Sequence, residues 1–111
     1  MGGGRMTHHD LVNKLLLAVS PLGLAWSNNT GALKNEGRMI RYGLPGSADI
    51  LACVNGRMIG IEAKVGRDAW RPKQQAFAAA LNRAGGTYIL ARSTDGSGDD
   101  AVALTLEQIN G

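Results

Sequence analysis

Cysteine is almost absent from this chain of 111 residues. Cys53 stands alone, which excludes an internal disulfide and reads as a small buried thiol in a reducing compartment. Proline occurs three times and aromatic residues make up 5% of the sequence, so Pro-rich disorder is excluded and the expected core is aliphatic and rich in alanine. No apolar run approaches the roughly 18 residues of a membrane-spanning helix. Residues 1–5 lead into no apolar stretch of the signal-peptide kind, so the expectation is a cytoplasmic protein with no membrane partner. From residue 95 onward there is no basic residue, while Asp95, Asp99, Asp100 and Glu107 all lie there. The 12 Lys and Arg therefore sit in residues 1–94 against five acids, a surplus that attracts polyanions, nucleic acid foremost.

What is present is enough for one small domain. Hydrophobic residues are 44% of the chain, and the sixteen glycines show no collagen period. Residues 1–6 read as a flexible lead and 7–111 as a single domain. Leu11, Val12, Leu15, Leu16 and Val19 recur at helical spacing over 7–20, with Thr7 as N-cap and Pro21 as the stop. Residues 24–27 read as a short strand. The polar, Gly-punctuated stretch 28–45 reads as a loop with a possible strand over 38–42. Residues 47–54 and 57–65 are strands joined by Asn55-Gly56, the strongest short hairpin signal. A helix over 72–84 follows, with Pro72 in the first turn, Gly85 past the end, and Ala76, Phe77, Ala80, Leu81 and Ala84 as its apolar face. Residues 87–91 form a buried strand and 101–110 a strand, a short helix or both. The fold class is α/β: a small mixed β-sheet flanked by helices, in the order α-β-β-β-α-β.

The hairpin carries the chemistry. A two-residue turn pairs Val54 with Arg57, so Cys53 faces Met58, Leu51 faces Gly60 and Asp49 faces Glu62. Two carboxylates are then directly opposite, which is destabilising unless something intervenes. Lys64, two residues beyond Glu62, projects from the same face. A divalent cation resolves the repulsion: two carboxylate oxygens and a backbone carbonyl make a hard-oxygen site for Mg²⁺ or Mn²⁺. Such an ion neutralises a phosphodiester and acidifies bound water, and Lys64 can hold that water or stabilise developing charge. Taken singly, Asp49 is also readable as a strand-entry residue and Glu62 with Lys64 as a solvated strand edge.

Gly46-Ser47-Ala48-Asp49, then Ile61-Glu62-Ala63-Lys64, then Lys73-Gln74-Gln75-Ala76-Phe77, then Gly85-Gly86 resemble the VRR-NUC nucleases, the virus-type replication-repair nuclease domain of the PD-(D/E)XK superfamily. Residues 25–31 also look like the family's segment before its first acidic motif. The resemblance covers about residues 7–93 and implies a restriction-endonuclease-like core. It implies that Asp49 and Glu62 bind Mg²⁺ or Mn²⁺ with help from the Ala63 carbonyl. It makes Lys64 the catalytic lysine and Gln74 the helix glutamine that orients the lysine or a phosphate. The stand-alone size is similar to phage-borne members, which are taken to act as homodimers on branched DNA such as Holliday junctions, in the host cytoplasm. One departure stands out. Where the family carries a Glu near the start of the first helix, this chain has His8, His9 and Asp10. His8 shares the face of Leu11, Val12 and Leu15, while Asp10 lies four residues before Lys14 and is expected to pair with it. An imidazole at His8 is a candidate ligand that favours Mn²⁺ or another nitrogen-tolerant ion.

Arg38, Arg41, Arg67, Arg71 and Lys73 flank these motifs and are the candidates for contacts to DNA phosphates. Trp70, in a polar connector, is the candidate for stacking on bases, whereas Trp26 reads as core or dimer interface. The implied activity is a metal-dependent DNA endonuclease. Two alternatives remain open: a non-catalytic nucleic-acid-binding module that keeps the fold, and a structural dimer with a merely solvated charged strand.

Overall fold

A computed structural model describes residues 6–111. The flexible lead expected over 1–6 lies outside the described residues except for Met6, which is partly buried against the core. The described residues form helix α1 (His8–Val19), strands β1 (Leu24–Ser27), β2 (Gly31–Asn35), β3 (Arg38–Tyr42), β4 (Ile50–Val54) and β5 (Arg57–Val65), helix α2 (Pro72–Arg83), strand β6 (Thr87–Ser93) and helix α3 (Asp99–Asn110). Four strands make one mixed sheet in the order β1-β4-β5-β6, antiparallel except for the parallel pair β5-β6, and β2-β3 form a separate two-stranded ribbon. The α/β expectation holds. No helix among the described residues is long and apolar enough to cross a membrane.

Local chemistry explains most boundaries. Thr7 caps α1 reciprocally: its hydroxyl accepts the Asp10 N–H at 3.0 Å, and the Asp10 carboxylate accepts the Thr7 N–H at 3.1 Å. Asp10 is thereby spent on the cap, and the expected pair with Lys14 does not form. Lys14 instead meets Asp99 at 2.7 Å and the Ser97 carbonyl at 3.0 Å, tying α1 to the start of α3. Pro21 does not end the helical path; a 3₁₀ turn, Ser20–Leu22, carries it one step further. Asn55 and Gly56 both take positive φ (52° and 77°), the primed turn that matches strand twist, and the register runs from Val54↔Arg57 to Ile50↔Ile61 as the turn dictates.

Alternation then sorts the sheet into two faces. Ile50, Ala52, Ile59, Ile61, Ala63, Ile89 and Ala91 are fully buried and form the core with Leu11, Leu15 and Val19 of α1 and Ala101 of α3. The segment 101–110 is thus helix throughout, with Ala101, Thr105 and Ile109 turned inward. The opposite face is covered only in part, by α2. Gly60 makes the notch that receives this helix: a Cβ there would lie 3.0 Å from Leu81 and 3.2 Å from Phe77. The bulky Phe77 and Leu81 therefore choose the seating, with Ala78 buried, while Ala76, Ala80 and Ala84, expected in the apolar face, are exposed. The uncovered part of this face also leaves Cys53 exposed rather than buried, because nothing packs over it.

The possible strand over 38–42 is present as β3, and the departure is β2, a part of the expected loop that pairs with it as a ribbon. Glu36 and Gly37 form a second turn with positive φ (52° and 77°), joining β2 to β3 with every residue of both strands exposed.

Candidate metal centre

The site forms where β4 stops and β5 continues. The backbone ladder begins at Ile50↔Ile61, so Asp49 lies one step outside it. There its side chain replaces the missing rung: Oδ2 accepts the Ala63 N–H at 2.8 Å. In an extended strand the N–H and C=O of one residue point the same way, so the Ala63 carbonyl also lies on the Asp49 edge. The Asp49 carbonyl accepts the Asn28 N–H at 2.7 Å, and the Asn28 amide donates to Ser47 Oγ at 2.8 Å and to the Ala48 carbonyl at 2.9 Å. Asn28 thus fixes the turn that delivers Asp49. Gly46, at φ 83°, allows this turn to touch the Lys73 carbonyl at the start of α2.

Glu62 and Lys64 extend from the central strand under α2 and are 3% and 6% exposed. Lys64 Nζ lies 3.6 Å from Glu62 Oε2. The Gln74 amide donates to the same Oε2 at 3.2 Å, while its own oxygen accepts the Arg71 N–H at 2.9 Å. Gln74 therefore links the α2 N-terminus to Glu62, rather than touching Lys64 as one form of the expectation had it. From the other side of the sheet, His8 Nε2 lies 3.0 Å from Asp49 Oδ2. Burial, with the Asp49 charge next, pushes the Glu62 carboxyl up to about 7; Lys64 offsets part of this.

One ligand atom from each of His8, Asp49 and Glu62 lies within 4.8 Å of the other two. Ligands on a single Mg²⁺ or Mn²⁺ octahedron are roughly 3 to 4 Å apart, so side-chain adjustments of under about 1 Å close the set. One nitrogen and two carboxylates, one of them buried beside another acid, fit such an ion.

The expected nucleic-acid contacts are distributed more widely. Arg38 and Arg41 stand on the β2–β3 ribbon and are exposed. Arg67 is exposed at the end of β5, on an open cleft of about 690 Å³ that Met6, His8, Asp68 and Thr94 also line. Arg71 occupies the N-cap position of α2 and Lys73 its first turn, both exposed. Trp70 stacks on Tyr88 with centroids 6.0 Å apart and donates its indole N–H to the Tyr88 hydroxyl at 3.1 Å. Trp26, on edge strand β1, is 41% exposed and so is not core.

Two residues with a part in the site have no role in the sequence reading. Asn28 belongs to the segment 25–31, but only its contacts reveal its work. Tyr88 carries no local signal: it enters because parallel pairing sets it beside Gly60, and burial pushes its hydroxyl up to about 12, with Glu62 and Asp49 adding to the shift. In comparisons with known proteins, the chain matches no family and no curated protein.

Proposed function

We propose that this chain is a metal-dependent DNA endonuclease that hydrolyses phosphodiester bonds, acting as a homodimer on branched DNA of the Holliday-junction type in the cytoplasm. The observation that carries the reading is the convergence of His8, Asp49 and Glu62 within 4.8 Å, with the Lys64 ammonium 3.6 Å from Glu62. The motif resemblance supports the DNA substrate, the junction and the dimer. Leu24, Trp26 and Met58, exposed on one open sheet face, suit burial by a second copy.

A bound Mg²⁺ or Mn²⁺ supplies charge neutralisation at the phosphodiester and a more acidic water. The chain's own groups do the rest. Asp49 and Glu62 provide oxygen donors, the Ala63 carbonyl a third, and His8 a nitrogen. Lys64, held under α2, orients the attacking water and stabilises charge that develops on phosphate oxygens. Gln74 holds Glu62 in place. The N-terminus of α2, with Arg71 and Lys73, favours a phosphate at the same end of the sheet.

The test is a nicking assay on supercoiled and four-way-junction DNA with Mg²⁺, Mn²⁺ or EDTA. Wild type cuts with either ion and not in EDTA; Lys64→Ala loses at least about 100-fold in rate. A second reading, the non-catalytic binding module, is favoured by His8, which brings no negative charge where the family has a Glu. DNA retention without cutting in any metal would establish it. Failure to retain DNA at low salt removes both, and a sedimentation profile showing only monomer removes the junction-resolving form.

A further inference from the structure

From the β2–β3 ribbon we infer a second functional part: an arm that enters the major groove of duplex DNA and fixes its position relative to the metal centre. The inference rests on the nuclease reading above.

The ribbon contributes nothing to the core. It is a sheet of its own, packs on no helix or other strand to any substantial extent, and exposes all ten strand residues. A two-stranded hairpin alone is marginally stable in water. Yet Leu33, Met39, Ile40 and Tyr42 lie on it 43–64% exposed. Apolar residues that serve no fold need another use.

Charge complementarity identifies the occupant. Lys34, Arg38 and Arg41 stand on the ribbon against one acid, Glu36, at its turn. The register puts Lys34 opposite Met39 and Arg41 opposite Ala32 on one face, and Leu33 opposite Ile40 and Tyr42 opposite Gly31 on the other. One face thus carries Lys34 and Arg41 with Met39 between them, and the other carries Leu33, Ile40 and Tyr42 with Asn35 and Arg38 at the tip, so cations and apolar groups are exposed along the whole ribbon. A Cβ at Gly31 would come 2.5 Å from the Tyr42 hydroxyl, so glycine there lets the ring lie across the pair. The major groove, about 12 Å wide, admits a two-stranded ribbon, where cations meet the phosphate walls and apolar side chains meet base edges such as thymine methyls. Strands of five residues reach about 17 Å, enough to span the groove.

The base of the arm is tied to the reacting groups. Asn28, just after β1, joins the returning chain through Ser47 and Ala48 and bonds the Asp49 carbonyl. Whatever the ribbon grips is thereby held at a set distance from Asp49.

The experiment measures binding to duplex and four-way-junction DNA in EDTA over a salt series. For Lys34→Ala/Arg38→Ala/Arg41→Ala, the slope of log affinity against log salt falls by about 2.7 relative to wild type, about 0.9 for each lost phosphate contact. Guanine N7 positions, which line the major groove, are protected from dimethyl sulfate by wild type and become reactive with the variant. Mn²⁺ affinity matching wild type shows that the body of the variant is folded; Leu33→Ser/Ile40→Ser, which keeps the charges, should lose N7 protection with the salt slope intact. An unchanged slope in the triple variant, or N7 atoms that stay reactive with wild type, overturns the arm. So does a variant that becomes monomeric with its slope unchanged, which would assign the ribbon to a second copy. If wild type cuts junction DNA while the arm fails these tests, the nuclease reading stands without it; if wild type binds no DNA, both fall.

Discussion

At Glu62, burial and the neighbouring Asp49 hold the carboxyl at about 7, so near neutral pH it is divided between its two forms. A metal ligand must be ionised, and each donor to the charged form helps. Gln74 is that donor, at 3.2 Å, and it is itself oriented by the Arg71 N–H. Replacing Gln74 with Ala or with Met, which keeps the bulk, should weaken Mn²⁺ binding about 10- to 100-fold and move its pH midpoint upward. Titration of the free-ion electron paramagnetic resonance signal from pH 5.5 to 8 reads both. Wild-type affinity and midpoint in Gln74→Met would show that the amide merely packs. The opposition of Asp49, Glu62 and Lys64 is legible in the sequence because a two-residue turn leaves no freedom of register. The partner of Gln74 is not legible, since it depends on where α2 docks across the sheet.

That docking is a property of whole elements. The boundaries of α2 follow from Pro72 and Gly85, but its inward face does not follow from periodicity, because alanines satisfy almost any face. Gly60 and Gly86 decide it, by leaving space that Leu81 fills. Gly60→Val should cost about 1–3 kcal/mol by overpacking and, by lifting α2, should weaken Mn²⁺ binding as Gln74→Ala does. Thermal unfolding and the same metal titration check the two effects together; a destabilised variant with intact Mn²⁺ affinity would uncouple the helix from the site. Elsewhere the element level explains what sequence reading missed. β3 is legible as the possible strand over 38–42, but β2 is not, because it has no buried face and Glu36-Gly37 is a weaker turn signal than Asn55-Gly56. The segment 101–110 is short and mixed in pattern, and only its seat against α1 and β6 makes it a helix. The order β1-β4-β5-β6 likewise depends on long-range pairing.

For the whole molecule, the shifted groups act on stability with opposite signs. Asp100 accepts the N–H groups of Thr94 at 2.8 Å, Asp95 at 3.3 Å and Ala101 at 2.8 Å, and these bonds, Thr94's foremost, pull it from 3.8 down to about 2. A lowered folded value contributes stability above about 3.8 that is lost as pH falls through 2. Glu62 runs the other way. Raised from 4.5 to about 7, it favours the folded chain at pH below 4.5, and that preference disappears as pH climbs through 7. The ion-free protein should therefore melt highest at roughly pH 4 to 5. On the proposed reading, Mn²⁺ would bind the folded, ionised site and add about 2.7 kcal/mol at a hundredfold excess over its Kd, moving the optimum toward neutral pH. Scanning calorimetry from pH 2 to 8, in EDTA and in Mn²⁺, reads this directly. Glu62→Gln should flatten the limb between 4.5 and 7 and respond little to Mn²⁺, while Asp100→Asn should flatten only the acid limb. A neutral limb that survives in Glu62→Gln would mean that another group carries it, and that the strained carboxylate pair is not what an ion relieves.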